Sequence, residues 1–276
     1  MSSFTNQWTQ TDGSRIFSRG WVPDVPPKAV ICLVHGLGEH SGRYQHVAQR
    51  LNRDGFAVVS FDLYGHGQSQ GKRGHAPSME VFAEGIDRLL TTASERWPDT
   101  PCFLYGHSLG GVLVLYYTLL RQPELRGVIA TSPGLRTSLE EQKLKIAIAR
   151  TMATLAPSVG LPTGLKAEDI SKDPQVIQVY LADPLVHDRA TFAMARNTLD
   201  AIQWTFDHAG EFKPPLLLMH GDQDAIAYAR GSQEFASLVP GDCTVKIWPG
   251  LLHETHNEPE KDQVLDFKIT WIKSKL

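Results

Sequence analysis

Residues 102–115 read CFLYGHSLGGVLVL. The first four are apolar and suit a strand, and the last six open a strongly apolar helix. Between them, Gly106-His107-Ser108-Leu109-Gly110 matches G-x-S-x-G. A strand, a sharp turn and a helix in that order lift the central hydroxyl out of the end of a sheet. The glycines flank it because the turn packs backbone against backbone, with no room for a Cβ. The helix N-terminus then aims unpaired N–H groups at whatever oxygen reacts there. Ser108 is therefore the expected nucleophile.

The same alternation extends to both sides. Upstream stand KAVICLVHG (28–36), a helical stretch RYQHVAQRLNRDG (43–55), the run AVVSFD (57–62) and a helical region near 78–96. Downstream stand RGVIATS (126–132), PPLLLMHG (214–221), the helix ARGSQEFASLV (229–239), CTVKIWPG (243–250) and a last helix. Continuous apolar runs alternating with helices predict an α/β fold, a mostly parallel sheet with helices on both faces. The opening stretch, with Asp12-Gly13 as its turn, predicts a hairpin. Residues 1–132 and 211–276 read as this core, and 133–210 as a helical insertion without a convincing strand. Pro157, Pro162 and Pro174 break the insertion into short pieces. Its apolar stripe Leu144, Ile148, Met152, Leu155 is expected to line a passage for an apolar chain if the insertion lies over the sheet as a lid, the alternative being plain extra core.

Bulk properties narrow the function. The 276 residues carry a formal charge of -3, from 27 basic and 30 acidic side chains, which gives no reason to expect nucleic acid as a partner. Cys32, Cys102 and Cys243 form no C-x-x-C and read as reduced, mostly buried thiols. The polar start MSSFTNQWTQTDG is no signal peptide, and the longest apolar run, GVLVLYYTLL, falls far short of the ~20 residues of a membrane span. The expected location is cytoplasmic. No cofactor or metal is expected. In HETH (253–256) the histidines are three apart after a turn, where a zinc protease needs four on a helix.

A second G-x-S-x-G lies at Gly67-Gln68-Ser69-Gln70-Gly71. The glycine-broken DLYGHG precedes it and the polar QGKRG follows, so it has neither the strand nor the helix of an elbow. An acid and a histidine should follow Ser108 in the chain, on loops after later strands. Asp222 and Asp224 follow PPLLLMHG; His253 and His256 follow CTVKIWPG. Spacing alone does not rank either pair.

HGLGEHSGRY (35–44), with DLYGHGQSQG, GHSLGG, ADPLVHDR and HGDQDAI, resembles the monoacylglycerol lipase and lysophospholipase group of α/β-hydrolases, over nearly the whole chain. The resemblance implies Asp224 as the acid and His253 as the base. It implies backbone N–H donors from Leu37 and Leu109 for an oxyanion, and Glu39, Arg43 and His256 as groups holding the polar end of the substrate. It further implies hydrolysis of a single-chain lipid ester, monoacylglycerol first; with a lipid substrate, a cap helix could sit at a membrane interface as a peripheral contact. A lysophospholipase, a general carboxylesterase, an aminopeptidase of the same fold, or a non-catalytic ligand binder are the alternatives.

Overall fold

The computed structural model describes residues 2–276, apart from the side chains of Leu139, Glu141, Lys143 and Lys145; Met1, within the first core range, lies outside the described residues. The chain opens with the hairpin β1 (Ser2–Thr9) and β2 (Arg15–Val22), turned at Gly13, whose φ of 85° suits a residue without a Cβ. Then follow β3 (Ala29–Val34), α1 (Gln45–Arg53), β4 (Phe56–Phe61), α2 (Glu80–Arg96), β5 (Cys102–His107), α3 (Leu109–Arg121) and β6 (Gly127–Thr131). After an insertion the chain resumes with β9 (Leu216–Gly221), α7 (Ala229–Leu238), β10 (Cys243–Trp248) and α8 (Lys261–Ser274). One eight-stranded sheet results, in the order β1-β2-β4-β3-β5-β6-β9-β10. The β1–β2 and β2–β4 pairs are antiparallel and the other pairs parallel.

Period-two alternation along a buried strand feeds two cores. On β3, Val30, Cys32 and Val34 join Phe82, Ile86, Leu113 and Leu115 under α2 and α3. Ala29, Ile31 and Leu33 join Val47, Leu51, Leu265 and Ile269 under α1 and α8. Because β4 and β5 lie on opposite sides of β3, the connections leaving the C-ends of β3 and β5 run in opposite directions. A crevice opens at such a point in an α/β sheet, and the HGLG turn and the Ser108 turn both border it.

Between β6 and β9 lie α4 (Lys143–Leu155), β7 (Gly160–Pro162), α5 (Pro174–Ala182), β8 (Arg189–Thr191) and α6 (Phe192–Asp207). The insertion is not free of strands: β7 and β8 form a short antiparallel ladder. Each is three residues long and carries no alternating pattern to read. The α4 stripe also differs from expectation. Leu144 (75% exposed), Ile148 (51%) and Leu155 (74%) face outward, while Ala153 is buried and α4 packs on α6. A helix with small apolar residues on its second face can bury that face and leave the larger stripe outside. Among the described residues, no helix is long and apolar enough to cross a membrane.

Candidate active site

Ser108 sits between β5 and α3 at φ 54°, ψ −116°. A non-glycine residue there carries about 1–3 kcal/mol of strain, which persists only where the surroundings impose it. They do: a Cβ on Gly106 would stand 2.1 Å from the carbonyl oxygen of Gly110, and one on Gly110 would stand 2.1 Å from that of Val34. The Ser108 N–H donates to the Thr131 carbonyl at 2.9 Å, which ties the turn to β6.

His253 Nε2 lies 2.8 Å from Ser108 Oγ, and His253 Nδ1 lies 2.7 Å from Asp224 Oδ2. Asp224 is fully engaged. Its Oδ1 accepts from the N–H groups of Ile226 and Ala227, both at 2.9 Å, and its Oδ2 also lies 3.1 Å from His220 Nε2. His220 Nε2 faces a second acceptor, the Ala227 carbonyl, so that nitrogen carries the proton; Nδ1 meets Ser232 Oγ at 2.8 Å. Burial alone would raise the Asp224 carboxyl, but the charge and hydrogen bond of His253, with the bond from His220, outweigh it and hold the group well below the usual carboxylate range. For His253, burial works against protonation, yet adjacent Asp224 overcomes it and leaves the imidazole above its ordinary value. Ser132, itself at φ 43°, donates its hydroxyl to the His253 carbonyl at 2.7 Å and so fixes the histidine's backbone.

The competing acid and histidine stand elsewhere. Asp222 accepts from Gly250 N–H at 2.7 Å and braces the turn after β10. His256 is 1% exposed, stacked on Tyr44 at 5.0 Å and edge-on to His107 at 4.8 Å. Burial, then the neighbouring His107 and Lys268, push its imidazole well below its ordinary value, which makes it a poor proton acceptor. His107 lies between His253 and His256, bonds through Nδ1 to Thr131 Oγ1 at 3.1 Å, and is lowered to about 4, mainly by burial.

The second G-x-S-x-G is structural. Ser69 Oγ donates to the Asp62 carbonyl at 2.5 Å and accepts from Phe17 N–H at 2.9 Å. Both functions of the hydroxyl are used in tying the loop to β2 and β4. Ser69→Ala leaves a buried donor and acceptor unpaired, so it should cost about 2 kcal/mol of stability. The folded variant should keep its activity within about threefold. Urea unfolding beside an ester assay separates the two readouts.

The turns that carry Leu37 and Leu109 adjoin Ser108. Leu109 is the first residue of α3, so its N–H has no acceptor within the helix. Leu37 follows Gly36, which lies so near the elbow that a Cβ on it would come within 3.2 Å of Ser108 Cβ. Glu39 shapes this turn. Its Oε1 accepts from Gly36 N–H at 2.6 Å and from the Tyr44 hydroxyl at 2.7 Å, and its Oε2 accepts from Arg43 at 2.7 Å. Arg43 also grips Glu254 with both terminal nitrogens, at 2.6 and 2.8 Å, and lies 4.8 Å from the Tyr180 ring of α5. Burial alone would raise Glu39, but Arg43, then His107 and His35, with the Tyr44 hydrogen bond, together outweigh it and the carboxyl falls to about 2.

Of the expected head-group residues, Glu39 therefore engages Gly36, Tyr44 and Arg43, and Arg43 engages Glu39 and Glu254, joining the HGLG turn to the His253 loop. Arg43→Ala would leave two buried carboxylates without the cation between them. It should cost about 3–5 kcal/mol, read as a lower denaturation midpoint. Sequence reasoning missed Glu254, His220, Tyr44 and Ser132. The His220–Asp224 separation of four and the adjacency of Glu254 to His253 were the available signals. Among the described residues, no group of three or more histidine, cysteine or acidic side chains is arranged to hold a metal.

This strand order, with a serine in a strained turn after β5, an acid after β9 and a histidine after β10 joined by two hydrogen bonds, is the α/β-hydrolase fold. A family model described as "Serine aminopeptidase, S33" matches residues 25–260, and the chain belongs to that family. It is 37% identical over 267 residues to the monoacylglycerol lipase of Mycolicibacterium smegmatis, covering 96% of this chain and 95% of that one. It is also 37% identical to an uncharacterized abhydrolase domain-containing protein of Dictyostelium discoideum; the match takes in the whole chain but spans only 30% of that protein. The crystal structure of Paleococcus ferrophilus monoacylglycerol lipase superposes with a TM-score of 0.85 at 32% identity, covering 100% of both chains.

Proposed function

We propose that the protein is a serine hydrolase that cleaves single-chain lipid esters, monoacylglycerol foremost, to a fatty acid and an alcohol through an acyl-enzyme. One observation carries this reading: the unbroken Ser108–His253–Asp224 chain, with hydrogen bonds of 2.8 and 2.7 Å, at the mouth of the sheet. The name of the M. smegmatis relative, matched over nearly the full length of both chains, supports the choice of ester.

In this mechanism His253 Nε2 takes the Ser108 proton as the hydroxyl attacks the carbonyl, and returns it to the departing glycerol. Asp224 holds the proton on Nδ1 and stabilises the imidazolium. The N–H groups of Leu37 and Leu109 receive the oxyanion; losing one such donor typically costs about 3 kcal/mol. Water then attacks the acyl-enzyme by the same route.

We assign residues 133–210 the role of a cap. Several bonds to the core support this: His187 N–H to the Gly38 carbonyl at 2.8 Å, Thr191 N–H to Gly74 at 2.9 Å, and Glu254 N–H to Ile170 at 2.7 Å. The outward-facing Leu144, Ile148, Leu155, Val179 and Leu181 support a peripheral contact with lipid. His256 keeps its assignment at the polar end of the substrate as a proposal, through its place beside His107 and Tyr44.

The working base must be neutral. With His253 raised by Asp224, kcat/KM should fall as pH drops through a value above that of a free histidine, about 6.5. A pH–rate profile reads this directly. Substrate class is tested by comparing monoacylglycerols of several chain lengths, lysophospholipids, short aryl esters and amino-acid anilides, with Ser108→Ala as control. Highest kcat/KM on monoacylglycerol is expected. A preference for anilides would favour the aminopeptidase reading that the family description raises.

A further inference from the structure

The far end of the sheet holds a pair of thiols that the mechanism does not use. The β3–β5 ladder pairs Val30 with Cys102 and Cys32 with Leu104, so the cysteines share one face of the sheet, one pleat apart. Their Sγ atoms stand 3.5 Å apart. Cys32 is fully buried, while Cys102 is half-buried and opens onto a cleft of about 380 Å³ between the start of β5, α2 and α3. Asp87, Leu90, Trp97, Tyr117 and Leu125 line that cleft.

The spacing selects what can bridge the pair. The 3.5 Å between the sulfurs exceeds the about 2.05 Å of a disulfide bond, and the two residues are offset by one pleat rather than directly opposite. Direct oxidation to a disulfide would therefore have to draw the two sulfurs together. A single bridging atom needs no such movement. Two thiolate bonds of about 2.3 Å spanning the 3.5 Å gap meet at about 100°. That angle suits a pyramidal three-coordinate centre. A linear two-coordinate ion would need sulfurs about 4.6 Å apart.

We propose that Cys32 and Cys102 form a dithiol site for a trivalent arsenical, whose organic arm lies in the cleft on Leu90, Trp97 and Leu125. Accessible Cys102 adds first: its sulfur bonds to arsenic and its proton passes to the arsenic-bound oxygen. Cys32 then closes the ring. A second arsenic–sulfur bond forms, the arsenic–oxygen bond breaks, and the second proton leaves with the oxygen as water, so no oxidant or reductant is consumed. Burial holds the Cys32 thiol well above its ordinary value, which sets that order and makes ring closure the slower step.

The test is intact mass spectrometry of the protein with one equivalent of phenylarsine oxide, with and without prior blocking of Ser108 by a fluorophosphonate. The expected result is one adduct per chain, formed equally in both samples, resistant to excess 2-mercaptoethanol and removed by 2,3-dimercaptopropanol. Cys32→Val and Cys102→Ser should each abolish the monothiol-resistant adduct, and Cys243→Ser should retain it. Where a variant does not fold, the wild-type adduct is alkylated with iodoacetamide after unfolding: the Cys32 and Cys102 peptides should be protected and the Cys243 peptide modified. An adduct that 2-mercaptoethanol strips, that survives in Cys102→Ser, or that leaves Cys32 open to alkylation would overturn the proposal. None of these outcomes depends on whether Ser108 is a nucleophile.

Discussion

Ser108→Ala should fold normally and hydrolyse monoacylglycerol at least about 10⁴-fold more slowly than the wild type, since loss of a serine nucleophile removes up to about 10⁶-fold in kcat. The stability half follows from the turn. The strain at φ 54° belongs to the backbone, and alanine tolerates that region as well as serine does. Among the described residues, the Ser108 side chain hydrogen-bonds to His253 Nε2 alone, at a part-buried site. The midpoint of thermal unfolding should therefore move by no more than a few degrees. KM, measured on any residual turnover, should change little, because the hydroxyl contributes in the transition state rather than to ground-state binding. Residual activity of about a tenth would instead mean that another group attacks the ester.

The second large effect is expected from Asp224→Asn. An amide nitrogen facing His253 Nδ1 would favour the tautomer with its proton on Nε2, leaving no base toward Ser108. A comparable swap in a serine protease triad costs about 10⁴-fold in kcat. Two changes should accompany the loss. Removing the negative charge takes away what raises His253, so the acid limb of the pH–rate profile should shift to lower pH. The variant should also be less stable, because an amide cannot accept at once from His220, His253, Ile226 and Ala227 as the carboxylate does. If the limb stays in place while the rate falls, Asp224 acts through the shape of the loop alone.

Much of this arrangement is visible in the residues. The strands announce themselves because burial on both faces demands unbroken apolar runs such as AVICLV and LLLM. The elbow at Ser108 differs from its counterpart at Ser69 through what surrounds it, a strand and a helix against two polar, glycine-rich segments. Choosing between Asp222 and Asp224, or His253 and His256, needs three dimensions. In the fold, Asp222 caps Gly250 N–H, and His256 is stacked on Tyr44 and His46 and edge-on to His107. The same holds for the Arg43–Glu254 pair, whose members are 211 residues apart. No local pattern marks two side chains as partners across that distance, so the tie from Arg43 to Glu254 is legible only in the fold. The exposure of the α4 stripe has a related reason: periodicity shows that a helix has an apolar face, not whether the protein or its surroundings will cover it.

The most direct test of the central claim is active-site labelling with a fluorophosphonate, followed by peptide mapping. The account predicts one covalent adduct per chain, on the Ser108 hydroxyl, lost in His253→Gln and retained in Ser69→Ala. An adduct mapping to Ser69, or a folded wild-type protein that takes up no label, would contradict it.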